Sequence, residues 1–176
     1  MTDWDIQEGI LEEVLQGDGI VRVWAFVKDG DWATPRAGHT TVVVMTRTGN
    51  AVSEGVKEAI RAKLREMVGA QFVYVKDPDY FDFDISADIR LSAFQSELAV
   101  RADVERRLRE SYAISNAANF GRTISHSQIV AIIQNTPGVA FVVPQPGGEL
   151  LAEPAADVDV APYLMPRLGT VTLNVV

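Results

Sequence analysis

Between residues 81 and 92 the chain alternates without a break. Phe81, Phe83, Ile85, Ala87, Ile89 and Leu91 occupy the odd positions, and Asp82, Asp84, Ser86, Asp88, Arg90 and Ser92 the even ones. Successive strand side chains point to opposite faces, so this run satisfies both sets only as a strand with one face in a core and the other in water. A helix would scatter the same apolar residues around its circumference. The rest of the chain must then supply a layer that covers the apolar face.

The next residues offer one. Val100, Val104, Leu108 and Tyr112 recur every four positions, which predicts a helix over residues 97–114 with Arg101, Glu105, Arg106, Arg107 and Arg109 outside. A second, shorter helix is predicted after Ser125, which can cap it by accepting from the N–H of Gln128 while the Gln128 side chain reaches back. Ile124 and Ile129 stand at hydrophobic-staple spacing, and Ile129, Ile132 and Ile133 share a face. Asn135-Thr136-Pro137-Gly138 ends the helix, because proline lacks an N–H and glycine accepts positive φ, and residues 139–143 read as a strand. Proline, glycine and alanine then dominate residues 144–156, predicting an extended, mobile excursion over 144–168, with Pro162 and Pro166 stiffening the return. A last alternating strand is expected at 170–176.

Upstream, residues 20–27 (IVRVWAFV) are apolar on both faces, which implies a central strand. A long loop over 28–38, containing Trp32, is expected to project. Residues 40–46 form a second strand. Val52, Val56, Ala59, Ile60, Leu64 and Met67 trace one face of a helix over 51–68, and residues 71–76 form a third strand. The corner Asp77-Pro78-Asp79 marks a boundary. Ahead of all this, Ile6, Ile10, Leu11, Val14 and Leu15 predict a short amphipathic helix within residues 1–17. The expected fold class is α+β in two small sheet-plus-helix subdomains, β-β-α-β over 18–78 and β-α-α-β-β over 79–176, with mostly antiparallel or mixed sheets. A long helix across a small sheet in each suggests an old duplication, although no residue-level repeat is evident.

Composition narrows the partners. A net charge of −8 and a pI near 4.7 argue against a general nucleic-acid or anionic-membrane partner, since phosphate neutralisation needs a basic surface. No run approaches the roughly 18 apolar residues of a membrane span, and the acidic start Asp3-Trp4-Asp5 is unlike a signal peptide, so a cytoplasmic chain is expected. With no cysteine, thiolate metal sites, disulfides and thiol nucleophiles are excluded.

Catalytic patterns do not assemble. The acidic group Asp77, Asp79, Asp82 and Asp84 lacks EF-hand spacing and reads as solvated surface or a charged strand edge. Ser125-His126 and His39 do not make a triad, because Ser125 is committed as a cap, and no HExxH-type spacing supports zinc; both histidines are expected at the surface. Asp29-Gly30-Asp31 reads as a turn, and Gly147-Gly148 lacks the spacing of a phosphate cradle. No metal, cofactor or small-molecule substrate is expected, and the chain reads as a structural or interaction protein rather than an enzyme. The candidate partner surface is the helix face bearing Arg101, Arg106, Arg107 and Arg109, with Trp32 as an exposed anchor and the excursion after Pro144 as a second surface. A solvated helix face laced by pairs such as Arg101 with Glu105 explains the same arginines.

Gly121-Arg122-Thr123, Ser127-Gln128-Ile129, Thr136-Pro137-Gly138-Val139 and Arg167-Leu168-Gly169-Thr170-Val171-Thr172, in that order, resemble the C-terminal half of the baseplate J-like family. The resemblance implies a wedge component of a contractile phage tail or related injection machine. Such a component assembles in the bacterial cytoplasm, resides in the virion baseplate, contacts other wedge proteins and its own copies, and transmits the trigger for sheath contraction. The family supplies no catalytic residue to carry over. Its members have a longer N-terminal part than residues 1–17, which implies a fragment or a short member. The runner-up is a stand-alone cytoplasmic α+β ligand-binding or regulatory domain with a pocket between sheet and helices; a hydrolase using His39 or His126 ranks third.

Overall fold

The computed structural model describes residues 20–26, 39–46, 49–68, 72–114, 116, 119–161 and 163–176. The expected N-terminal helix and the Trp32 loop lie outside these residues. The chain divides into two compact units between Asp79 and Tyr80. In order, the elements are β1 (Ile20–Phe26), β2 (His39–Thr46), α1 (Glu54–Val68), β3 (Phe72–Lys76), β4 (Asp79–Leu91), α2 (Glu97–Ser111), α3 (His126–Gln134), β5 (Val139–Val143) and β6 (Leu164–Val175). This is the α+β succession that the periodicities predict.

In the first unit the sheet order is β1-β2-β3, with β1 antiparallel and β3 parallel to β2. The central strand is therefore β2, buried from His39 to Met45, and not β1 as expected. Apolar residues on both faces report that the faces are covered; they are silent on whether both edges are paired. The helix α1 buries Ile60 and Leu64 and leaves Ala59 exposed. It starts at Glu54 rather than at residue 51, because the Val52 N–H donates to Asp77 Oδ1 at 2.8 Å and so stays outside the helix. The other oxygen of Asp77 accepts from Lys57 Nζ at 2.7 Å. That bond is the main cause holding the Lys57 ammonium pKa above its ordinary value. The Asp77 corner is thus the clamp joining α1 to the end of β3.

The second unit is organised around β4. Phe83, Ile85, Ala87 and Ile89 are buried, and the even positions face outward. Its sheet order is β5-β4-β6. β5 is antiparallel, with Ile89 opposite Val142 and Arg90 opposite Phe141. Along the other side Asp82 meets Arg167, Asp84 meets Thr170, Asp88 meets Asn174 and Ile89 meets Val176, so residue numbers rise together and β6 runs parallel to β4. The helices α2, through Val100, Val104 and Leu108, and α3, through Ile129, Val130 and Ile133, supply the covering layer. Phe83 meets Tyr112 edge to face with ring centroids 5.0 Å apart.

Three expectations fail here, the first two because the partner is distant in sequence. First, Ser125 makes no side-chain cap bond; its hydroxyl lies 3.0 Å from that of Ser127, and the His126 N–H at the start of α3 donates instead to Asp157 Oδ1 at 2.7 Å. The Gln128 oxygen that would have closed the box accepts from Arg122 Nη2 at 2.5 Å. Second, residues 151–161 and 163–164 are a stitched strap rather than a mobile excursion. Ser86 bonds Glu153 and Ala152, Ile124 exchanges both backbone bonds with Val158, the Gly121 N–H donates to Leu164, and Leu151 and Val160 enter the core. Third, the final strand begins at Leu164 and contains Pro166, which an edge strand tolerates. Asp82 meets Arg167 while Asp84, two residues on, meets Thr170, three residues on, so β6 accommodates an extra residue between Arg167 and Thr170.

The Pro137-Gly138 corner is tight for two reasons. Gly138 has φ +94°, and a Cβ there would stand 2.6 Å from Val100 Cγ2. Gly138→Ala is therefore expected to cost about 3 kcal/mol through backbone strain and overpacking together. Urea unfolding of the purified chain would read this as a lowered midpoint at unchanged slope.

Candidate interaction surface

All four arginines singled out by spacing lie on α2, Arg106 and Arg109 along one groove and Arg107 along another that faces α3. The helix is started by Ser96, whose hydroxyl accepts from the Ala99 N–H at 3.5 Å, with Glu97 in the first turn and Arg109 in the last, as the helix dipole favours. Because Val100, Val104 and Leu108 turn inward, the residues between them turn out. Each arginine finds a carboxylate on its own helix. Arg101 pairs with Glu97 at 2.7 Å, Arg107 with Asp103 at 3.0 Å and Arg109 with Glu105 at 2.8 Å, while Arg106 bridges Asp103 and Glu110. The expected Arg101–Glu105 pair does not form. An acid four residues before its base is the better-oriented arrangement, and Glu97–Arg101, Asp103–Arg107 and Glu105–Arg109 all have it.

The network biases its own titration. The Arg106 guanidinium first, and Arg107 second, hold the Asp103 carboxyl below its ordinary value, and Asp103 in turn raises Arg106. The surface is therefore charge-dense but balanced, with four acids and four arginines along α2. Between them runs a shallow groove lined by Ala102, Glu105, Arg106, Arg109, Glu110 and Ala113. Such a face can offer planar guanidinium groups and aliphatic stems to a partner, with each new ion pair exchanged for an existing one. Arg109 also donates to the Gly169 carbonyl at 3.3 Å, tying α2 to β6.

Two exposed apolar residues beside this face were not anticipated. Phe94 is fully exposed at φ +64°, and Leu98, in the first turn of α2, is 81% exposed. Leu98 could have been noticed, since it falls off the 100-104-108 stripe; nothing local marks Phe94.

Of the other residues tested for chemistry, His39, Asp82, Asp84 and Asp88 have structural partners. His39 is buried, not at the surface, and stacks on Phe72 at 4.5 Å with Tyr74 beyond, whose O–H lies 3.4 Å from Nδ1. His126 is half-buried rather than exposed. Asp82, Asp84 and Asp88 lie on the outer face of a central strand, not on an edge. Asp82 receives Arg167 through two bonds at 2.5 and 2.8 Å, Asp84 accepts from the Thr170 N–H at 2.6 Å and Asp88 from Asn174 at 2.9 Å. The Gly121-Arg122-Thr123 segment is a junction. The buried Asn119 donates to the Ser111 carbonyl at the end of α2, Arg122 bonds Asn119 and Gln128, and Thr123 donates to Asp159 of the strap.

The family model described as Baseplate J-like protein C-terminal domain matches residues 83–174, essentially the whole second unit. Among solved structures, a chain of the anti-feeding prophage (AFP) baseplate, determined by cryo-electron microscopy with six-fold symmetrisation, superposes with a TM-score of 0.65 at 16% identity. The superposition covers 95% of this chain and 37% of that one, so this chain spans little more than a third of that protein's length. No curated protein matches.

The Asp103 carboxyl is expected to titrate below 3.8 in carbon-detected NMR, and Arg106→Gln to raise it more than Arg107→Gln does. Equal or absent responses would show that the network is not organised around Asp103.

Proposed function

From the premise that the chain belongs to the baseplate J-like family through its C-terminal domain, we propose that it is a structural component of a contractile-tail baseplate wedge. The observation that carries this reading is the match over residues 83–174, which includes most of β4, both helices of the second unit, β5, the strap and nearly all of β6. In this role the chain is built into the baseplate by other wedge proteins and by its own copies, after synthesis in the bacterial cytoplasm, and passes on the rearrangement that starts sheath contraction. It works by holding geometry rather than by turnover. Consistent with that, His39, Asp77, Asp82, Asp84 and Asp88 are spent on stacking, capping and cross-strand bonds.

The ligand-binding alternative requires a pocket between sheet and helices. In the second unit that space holds Ile85, Ile89, Val104, Ile129, Ile133 and Leu151, all inaccessible to solvent. For the partner surface, the α2 face of Arg101, Arg106, Arg107 and Arg109 is our assignment, with Trp32 as an anchor outside the described residues. Its aromatic and guanidinium groups are the types enriched in interface centres.

The parent chain, expressed with its neighbouring tail genes, is expected to co-sediment with a tail-like particle at a fixed ratio to the sheath subunit. A chain left in the supernatant beside complete particles would remove the wedge reading. Replacing Arg106 and Arg107 together by glutamate is expected to reduce incorporation several-fold while the isolated chain keeps its circular dichroism and melting temperature, because these exposed pairs contribute little to folding. Wild-type particle yield from the double variant would refute the α2 assignment alone.

A further inference from the structure

Where β6 accommodates its extra residue, between Arg167 and Thr170, one peptide group is gripped at both ends. The Gly169 carbonyl and the Thr170 N–H belong to the same peptide bond and point in opposite directions. The N–H donates to Asp84 Oδ1 on β4 at 2.6 Å, and the carbonyl accepts from Arg109 Nη2 on α2 at 3.3 Å. Glycine is what lets the carboxylate approach, since a Cβ at residue 169 would collide with Asp84 Oδ1.

The guanidinium is itself shared. Arg109 Nε donates to Glu105 Oε1 at 2.8 Å, one turn back on α2. Glu105, Arg109, the 169–170 peptide and Asp84 therefore form one chain of hydrogen bonds with an ionised carboxylate at each end, all within the second unit. Bonds in such a chain polarise one another, so an amide whose carbonyl faces a cation is a better donor at its N–H. The long bond to the carbonyl is the one that yields first, because a carboxylate is a stronger acceptor for a guanidinium than a neutral carbonyl is.

We propose that this peptide couples the arginine face of α2 to the pairing of β6 with β4. While Arg109 stays on the Gly169 carbonyl, Asp84 holds the extra residue of β6 in place. A carboxylate of a partner protein that takes Arg109 to itself draws the guanidinium off the carbonyl, and the bond at Thr170 weakens. This deepens the wedge reading and rests on it: a contact made on α2 gains a route, inside the second unit, to the last strand. Arg109 is a positioning residue that acts on β6 through the peptide.

The protection factor of the Thr170 amide, followed by NMR in the isolated full chain, tests the coupling. Arg109→Gln leaves the Thr170 N–H untouched yet is expected to lower its protection several-fold, while Arg106→Gln on the same helix leaves the protection unchanged. Gly169→Ala, which dislodges the Asp84 carboxylate, is expected to lower it as well. The double variant then loses less than the product of the two factors, because both changes act on one peptide. Asp84→Asn replaces Gly169→Ala if the latter does not fold. Unchanged protection in Arg109→Gln, or factors that multiply, overturns the coupling. Hydrogen exchange read by mass spectrometry tests the release: the segment containing Thr170 is expected to exchange faster in purified particles than in the free chain. Equal or slower exchange in particles overturns release by a partner and leaves the wedge reading standing. A chain absent from particles overturns both.

Discussion

The second unit depends on a strand that must satisfy opposite demands on its two faces. β4 buries Phe83, Ile85, Ala87 and Ile89 under α2 and α3, and carries three carboxylates on the other face. Neither set could change sides, because a slip of one residue would bring every carboxylate into the core. The carboxylates also help to place β6. Arg167, Thr170 and Asn174 each meet one of them, so the parallel strand, which returns to β4 only after a long intervening stretch of chain, is indexed by side chains as well as by its backbone. Asp82 adds a pH dependence to this indexing. Arg167 lowers its pKa below 3.8, so its contribution is present above that value and is lost as the pH falls through the lower, folded-state pKa.

What was legible in the residues was what short-range rules govern. The alternation of 81–92 and the fourfold spacing of Val100, Val104, Leu108 and Tyr112 each specify a face, and each face is where the rule puts it. What was illegible needed a distant partner. No local rule makes Asp157 the residue that meets the first N–H of α3, or makes Asp77 hold the Val52 N–H. The strap reads as a loop from composition, yet Leu151 and Val160 contribute to the core, and two apolar residues in a proline-rich stretch carry no periodicity to announce it. On α2, four arginines off the buried stripe could be seen from spacing. Which acid each would choose followed from orientation along the helix, a finer rule than proximity.

The local requirements of the second unit concentrate at a few positions. Gly138 must lack a Cβ. Asn119 is buried with its amide on the Ser111 carbonyl, and Arg122 spans from it to Gln128. Most core positions ask only for an apolar residue of suitable volume. The two sheets share a further regularity: in each, the central strand has one antiparallel and one parallel neighbour and is followed by a helix.

The strap also bears on how such a chain can vary. After Val143 the chain leaves the edge of β4, closes a small turn through the Gln145–Glu149 and Gly148–Gln145 bonds, and rejoins the same edge at Ser86. Both anchor points lie on one strand, so the distance the intervening segment must span is set by β4 and not by the segment. Its length is therefore a free variable: residues can be added between Pro144 and Leu150 at a cost that grows only logarithmically with loop size, leaving the pairing on either side intact. A lineage, or an engineer, has there a place to graft new surface onto an unchanged frame.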